Sequence, residues 1–372
     1  VDRKAVVLIL GWFALVLWNF KYHGNLHSAA EILQATSHLD VGWYQSIAMH
    51  GYRIDPAATS GQSTVFFPLF PAFVAPVIHW LGVEPLLAMN IIQKLFLILM
   101  FFLVWAWAKA QSLCPRESLM ALLLHPAAVF LLVPYTESLY LCCLFGLFIA
   151  WSRKHTAGVF VCALLLGLCR PTGLFILPAA ALTLLVQSVS MAKRHAPSLR
   201  SGVAALSAGL RDPQFRDSNR CLVFACLGAT SALLLVALVM HVSVSDWFAF
   251  YRYRSLWKEE PGWSNFRSFL NLDLGFRFPR VLTGWLAVVG CALLLRRGRV
   301  FEACVSLMSV MLPVYQGKIP DIIRYTLGAA PAWIILYEHL KTMRPVQWLL
   351  AGFSVSTLLL LMQAWLQRQW VG

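Results

Sequence analysis

Long apolar runs alternate with short, mostly basic segments along this chain. A membrane-spanning helix needs about 20 apolar residues. That measure predicts spans near residues 5–20, 86–108, 119–134, 137–151, 157–169, 174–190, 221–241, 281–295, 300–316, 325–340 and 347–366. The run 65–82, VFFPLFPAFVAPVIHWLG, is apolar enough to cross but holds three prolines and a histidine. It reads as a re-entrant or interfacial segment, because counting it as a span inverts every later loop. The expected fold is therefore all-α: one polytopic integral membrane domain over residues 1–372, with about 11 transmembrane helices and interfacial helices in its first outer loop.

Loop charge sets the orientation. With the N-terminus inside, the inner segments carry Arg3, Lys4, Lys109, Arg116, Arg153, Lys154, Arg296, Arg297, Arg299, Lys341 and Arg344, and the large inner loop 191–220 adds six more cations. That is the bias the positive-inside rule prefers. The first outer loop (21–85), the second outer loop (242–280) and a short one at 317–324 hold most of the carboxylates: Glu31, Asp40, Asp55, Asp246, Glu259, Glu260, Asp273 and Asp321. Polar chemistry is thus expected on the extracytoplasmic face.

Composition agrees, with 59% hydrophobic and 12% charged residues against roughly half and a quarter in soluble domains. The net charge of +14 is spread over short loops. It points to membrane lipid as a partner and away from nucleic acid. The nine cysteines lie mainly in apolar runs, without zinc-like spacing, and a disulfide framework is not expected. The ten histidines are dispersed, so neither a metal nor another cofactor is expected. The first apolar run lacks a small-residue cleavage site and reads as a retained helix.

Five stretches carry candidate chemistry. In SHLDVGWYQSIAMHGY (37–52), Ser37 and Asp40 fit a capping box and Gly51 a helix stop. Asp40 either caps backbone N–H groups or serves as a general base at a water–membrane boundary. The stripe of Trp43, Tyr44, Ile47 and Ala48 lies on lipid or core, and His50 and Tyr52 close the segment. STVFFPLFP (63–71), with Phe67 and Pro68, is an irregular anchor or one wall of a cavity. In PYTESLY (134–140), Tyr135 precedes Glu137, an ionisable group in apolar surroundings. Glu137 either pairs with Arg170 of CRPTG (169–173) or contacts substrate. The loop 246–269 is an interfacial aromatic belt, or a phosphate site through Arg252, Arg254 and Lys258. GKIPDIIRY (317–325) offers Lys318, Arg324 and Tyr325.

These motifs, in this order and spacing over residues 37–178, resemble the GPI mannosyltransferase family that adds the second mannose, with its bacterial relatives in the GT-C superfamily of membrane glycosyltransferases. The resemblance is weaker beyond; FAFYRYRSLW and IIRYTLGAAP look like later landmarks. It implies a dolichyl- or polyprenyl-phosphate mannose donor, a lipid-linked or glycan acceptor, and inverting transfer on the non-cytoplasmic face. It makes Asp40 the base and carries family positions onto Glu137 and Arg170. The family's tryptophan before the acid is Leu39 here, and its serine before the glutamate is Thr136. The absence of an Asn-x-Ser/Thr sequon leans toward a bacterial inner membrane, the endoplasmic reticulum being the eukaryotic alternative. Transfer of another prenyl-phosphate sugar is the nearest rival. A transporter or flippase ranks lower, because the acids gather on one face and not at the midplane.

Overall fold

The computed structural model describes residues 3–24, 26–57, 61–195, 213–257, 261–271 and 278–367. Every regular element among them is helical. The helices are α1 (Arg3–Gly24), α2 (Ala29–Ala35), α3 (Asp40–His50), α4 (Leu69–His79), α5 (Pro85–Ala110), α6 (Pro115–Leu123), α7 (Glu137–Ser152), α8 (Thr156–Cys169) and α9 (Ile176–His195). They continue with α10 (Pro213–Val244), α11 (Ala249–Arg252), α12 (Ser264–Leu270), α13 (Phe278–Arg296), α14 (Val300–Tyr315), α15 (Ile322–Tyr325), α16 (Ala330–His339) and α17 (Arg344–Leu366). Five stretches of the described residues are long and apolar enough to cross a membrane: Pro85–Ala110, Pro171–Ser190, Phe215–Val244, Phe278–Arg296 and the composite run Ile319–Leu366.

Two predicted spans are not continuous helices. The segment 119–134 is helical only to Leu123, then runs through turns and a short 3₁₀ stretch, Ala128–Leu131. Pro126 explains the break: it has no N–H to donate and its ring crowds the carbonyl of residue 122. Carbonyls farther along the irregular stretch find partners on α5. Gln93 Nε2 donates to Leu131 O, and Lys94 Nζ donates to Leu132 O at 2.5 Å. Backbone leaves helical geometry at membrane depth only where such donors exist. The segment 325–340 is likewise short turns up to Ala330, where α16 starts with Pro331 in its first turn.

The ambiguous run 65–82 forms α4, whose 11 residues reach about 16 Å, half of a ~30 Å hydrocarbon core. It packs on α3 and α5, and His79 Nε2 lies 3.1 Å from Ala48 O. The segments expected on the inner side meet one another: Lys341 pairs with Glu117, Arg297 with Glu338 at 2.9 Å, and Lys154 Nζ donates to Ser218 Oγ at 3.0 Å. At the other end the three predicted outer loops surround one cavity. Trp107, Trp333, Trp365, Tyr135 and Phe145 are among the largest fully buried side chains.

Candidate active site

The opening acid does not cap its helix. Asp40 is the first residue of α3, and the N-cap position is Leu39, at φ 56° and ψ −120°, with no side-chain cap. The capping box expected from Ser37 and Asp40 is therefore absent; the first loop's capping box is Ser28–Glu31, on α2. Asp40 is turned inward instead, because a buried guanidinium competes for its carboxylate. Arg324 Nη1 donates to Asp40 Oδ2 at 2.6 Å. Gly51 closes α3 at φ 73°, as its sequence position predicts.

Tyr135 fixes the backbone around the acid. Its hydroxyl accepts from the Asp40 N–H at 3.1 Å and donates to His38 O at 3.3 Å. Its ring lies 4.5 Å from the Arg324 guanidinium carbon. Such a stack adds attraction to a desolvated cation.

Glu137 holds two cations on one oxygen. Oε1 accepts from Arg324 Nε at 2.5 Å and from Arg170 Nη1 at 2.7 Å. Glu137 starts α7, where the helix dipole favours an acid. Arg170 ends α8 in extended backbone ahead of Pro171, as a residue before proline prefers. The return turn packs so closely that a Cβ on Gly173 would lie 1.9 Å from Leu166 O, so no other residue fits there. Arg170 lies between the rings of Tyr140 and Tyr325, at 5.7 and 5.8 Å. The Glu137–Arg170 pair weighed from sequence is thus present, and Arg324 joins it to Asp40.

This charge cluster forms the floor of a cavity of about 580 Å³, within the usual range for small-ligand sites. The lining brings together Asp40, Tyr44, Phe67, Arg170, Arg254, Lys318, Arg324 and Tyr325 from the sequence candidates. Val65, Phe66, Leu174, Phe175, Phe250 and Tyr251 supply apolar surface, and Thr172, Gln316 and Asp321 add polar groups. Cations in the lining (Arg170, Arg254, Lys318, Arg324) outnumber the carboxylates (Asp40, Asp321) two to one. Burial pushes the Tyr44 phenol above its ordinary value, so it remains a donor at neutral pH.

Other candidates lie elsewhere. Trp43 is outside the lining and stacks on Phe66 at 6.0 Å, which makes it core support. Tyr52 is buried and donates to Phe66 O at 2.8 Å, bracing the cavity wall from behind. Pro68 is the N-cap of α4, and His50 is exposed. Tyr135 and Glu137 sit beneath the floor and not in the main lining. Arg252 is exposed, pairs with Asp246 at 3.3 Å and is not part of the cavity lining. Lys258 lies outside the described residues.

Sequence reasoning passed over Thr172, Gln316 and Asp321. Thr172 is inside the CRPTG motif, and a polar Gln316 ending an apolar run was the available signal for the second. No grouping of three or more His, Cys, Asp or Glu side chains suited to a metal occurs among the described residues. No family model matches this chain, and no curated protein matches it either.

Proposed function

We propose that this chain is an inverting membrane glycosyltransferase of the GT-C type, with about 11 spans, that moves mannose from a polyprenyl- or dolichyl-phosphate donor to a lipid-linked or glycan hydroxyl. The observation that carries this reading is the cavity itself: Asp40 on the floor of a pocket whose lining cations outnumber its two carboxylates and whose wall is aromatic. A phosphate-linked lipid sugar offers that pocket an anion for its cations, a polar ring for its floor and an apolar tail for its wall. The motif resemblance over residues 37–178 supports the same chemistry, and the loop charges support an extracytoplasmic site in a bacterial inner membrane or the endoplasmic reticulum.

The reaction is a single displacement. The acceptor oxygen attacks the anomeric carbon as its proton passes to Asp40, and the bond from that carbon to the phosphate oxygen breaks. The prenyl phosphate departs with the electron pair, its charge stabilised by Arg170, Arg254, Lys318 or Arg324. A phosphate monoester is a fair leaving group, so catalysis consists mainly of positioning and charge stabilisation.

The test is a panel of radiolabelled prenyl-phosphate sugars offered to purified protein in liposomes, with candidate acceptors. Glycosidic product of inverted configuration from the mannosyl donor is expected. Product from a glucosyl or aminoarabinosyl donor alone would move the assignment to the rival sugar. Movement of intact lipid across the bilayer without product would replace transfer by transport. Labelling of a cysteine introduced as Ala57→Cys in the first outer loop only from the cytoplasmic side would overturn the orientation.

A further inference from the structure

Glu137 uses only one of its two carboxylate oxygens in the floor cluster. Both Arg170 and Arg324 converge on its Oε1, whereas Oε2 is buried without a hydrogen-bond partner among the described residues. The residue is 1% exposed. Leaving a charged oxygen unsatisfied is costly, so its position calls for a use. A second, much smaller chamber of about 10 Å³ adjoins the cluster, lined by Arg170 and Arg324 as well as by Glu137, Tyr140, Thr172 and Ser309. The same two guanidiniums also line the main cavity.

We infer that Glu137 is an internal counter-anion with two settings. In the empty site it occupies both guanidiniums through Oε1. When a phosphate monoester enters the main cavity, the ligand takes over those donors, and Glu137 withdraws toward the hydroxyls of the adjoining chamber. As Arg324 turns to the ligand, its hold on Asp40 Oδ2 relaxes, so the base is freed only when the anion is present. Glu137 then acts as a positioning residue that sets anion affinity and not as a sugar contact. This inference rests on the proposed phosphate-bearing donor and goes beyond it by naming what the phosphate displaces.

The sign of one substitution separates the two roles. Glu137→Gln keeps the shape and removes the competing charge, so it binds phosphate monoesters more tightly than the parent protein, on the order of tenfold. A residue that contacts substrate would weaken binding when changed. Binding of inorganic phosphate and of a short-chain prenyl phosphate is measured on the purified full chain, with thermal unfolding as the folding check. A gain for both probes assigns the effect to the phosphate group, as expected. A gain for the prenyl probe alone places it in the apolar wall and overturns the proposal, as does unchanged or weaker binding in folded Glu137→Gln.

Tyr140→Phe gives an independent reading should the first variant not fold. It keeps the ring against Arg170 and removes a hydroxyl from the chamber that receives Glu137, so phosphate binding falls several-fold. Unchanged or tighter binding contradicts the two settings. Failure of either probe to bind any variant also contradicts them. Phosphate binding with this pattern but no sugar transfer refutes the transferase reading and leaves the counter-anion standing; active transfer without the pattern does the reverse.

Discussion

Arg324 reaches Asp40 across 284 positions of sequence, donating through Nη1 to Oδ2 at 2.6 Å. The same guanidinium donates through Nε to Glu137, so one side chain ties the start of α3 to the start of α7. The side chains of all three residues are almost wholly buried. Removing one partner of a buried ion pair strands the other charges and costs about 3–5 kcal/mol. Arg324→Gln is therefore expected to lower unfolding free energy by about that amount. Arg324→Lys recovers only part, because one ammonium cannot present a planar fork to two carboxylates. Thermal unfolding of the purified variants in detergent checks the order parent, lysine, glutamine.

Tyr135 acts on Asp40 through the backbone. In Tyr135→Phe the ring still supports Arg324, but the Asp40 N–H loses its acceptor and His38 O keeps only the Val41 N–H of its two donors. Stability should fall by about 1 kcal/mol per bond at most. Turnover should fall more, on the order of ten- to a hundredfold with KM little changed, because the acid is misplaced and the cavity is not. Steady-state transfer kinetics separate the two effects.

Leu39 occupies a left-handed backbone conformation that favours glycine, and its side chain is 36% exposed. Truncation gives up a side chain that is about two-thirds buried, worth about 1–2 kcal/mol, while strain of about 1–3 kcal/mol is relieved. Leu39→Gly should therefore leave the unfolding temperature near the parent value, where a large-to-small change without such strain lowers it. Differential scanning of the two proteins side by side decides it.

Tyr44 gives an alkaline limit. Its phenol is held above the ordinary value chiefly by burial, with the Asp40 charge adding to the shift. A raised folded value means the stabilisation is complete below the unfolded value near 10 and is lost as pH rises through the folded one. Melting temperature should therefore fall above about pH 10, with a shallower slope in Tyr44→Phe. An identical slope in the two proteins would show that Tyr44 ionises freely in the fold.

Much of the site was legible because its members are costly anomalies in apolar sequence. Glu137, Arg170 and Arg324 sit in or beside membrane-length runs, where an ionisable group needs a reason. Asp40 was legible as an acid at a helix start, but its partner was not, since nothing local says that a residue 284 positions away will displace the capping role. The same limit hid the bracing roles of Trp43 and Tyr52. Both look like site aromatics in sequence, and only the fold reveals that they pack behind Phe66. Helix positions followed from hydropathy except at Pro126 and Pro331, where apolar composition continued but backbone donors did not. The polar pair Gln93 and Lys94 in an otherwise apolar helix was the unread sign that a broken segment lay alongside.

The most direct measurement is mannosyl transfer by Asp40→Asn set against Asp55→Asn in the same liposomes. Asp55 is exposed in the same loop, and its carboxylate caps a local turn by accepting from the Ala57 N–H at 2.9 Å. A general base contributes roughly 100-fold or more, so Asp40→Asn should transfer at least that much more slowly while Asp55→Asn stays near the parent rate. Parental transfer by correctly folded Asp40→Asn would contradict the assignment of this carboxylate as the base.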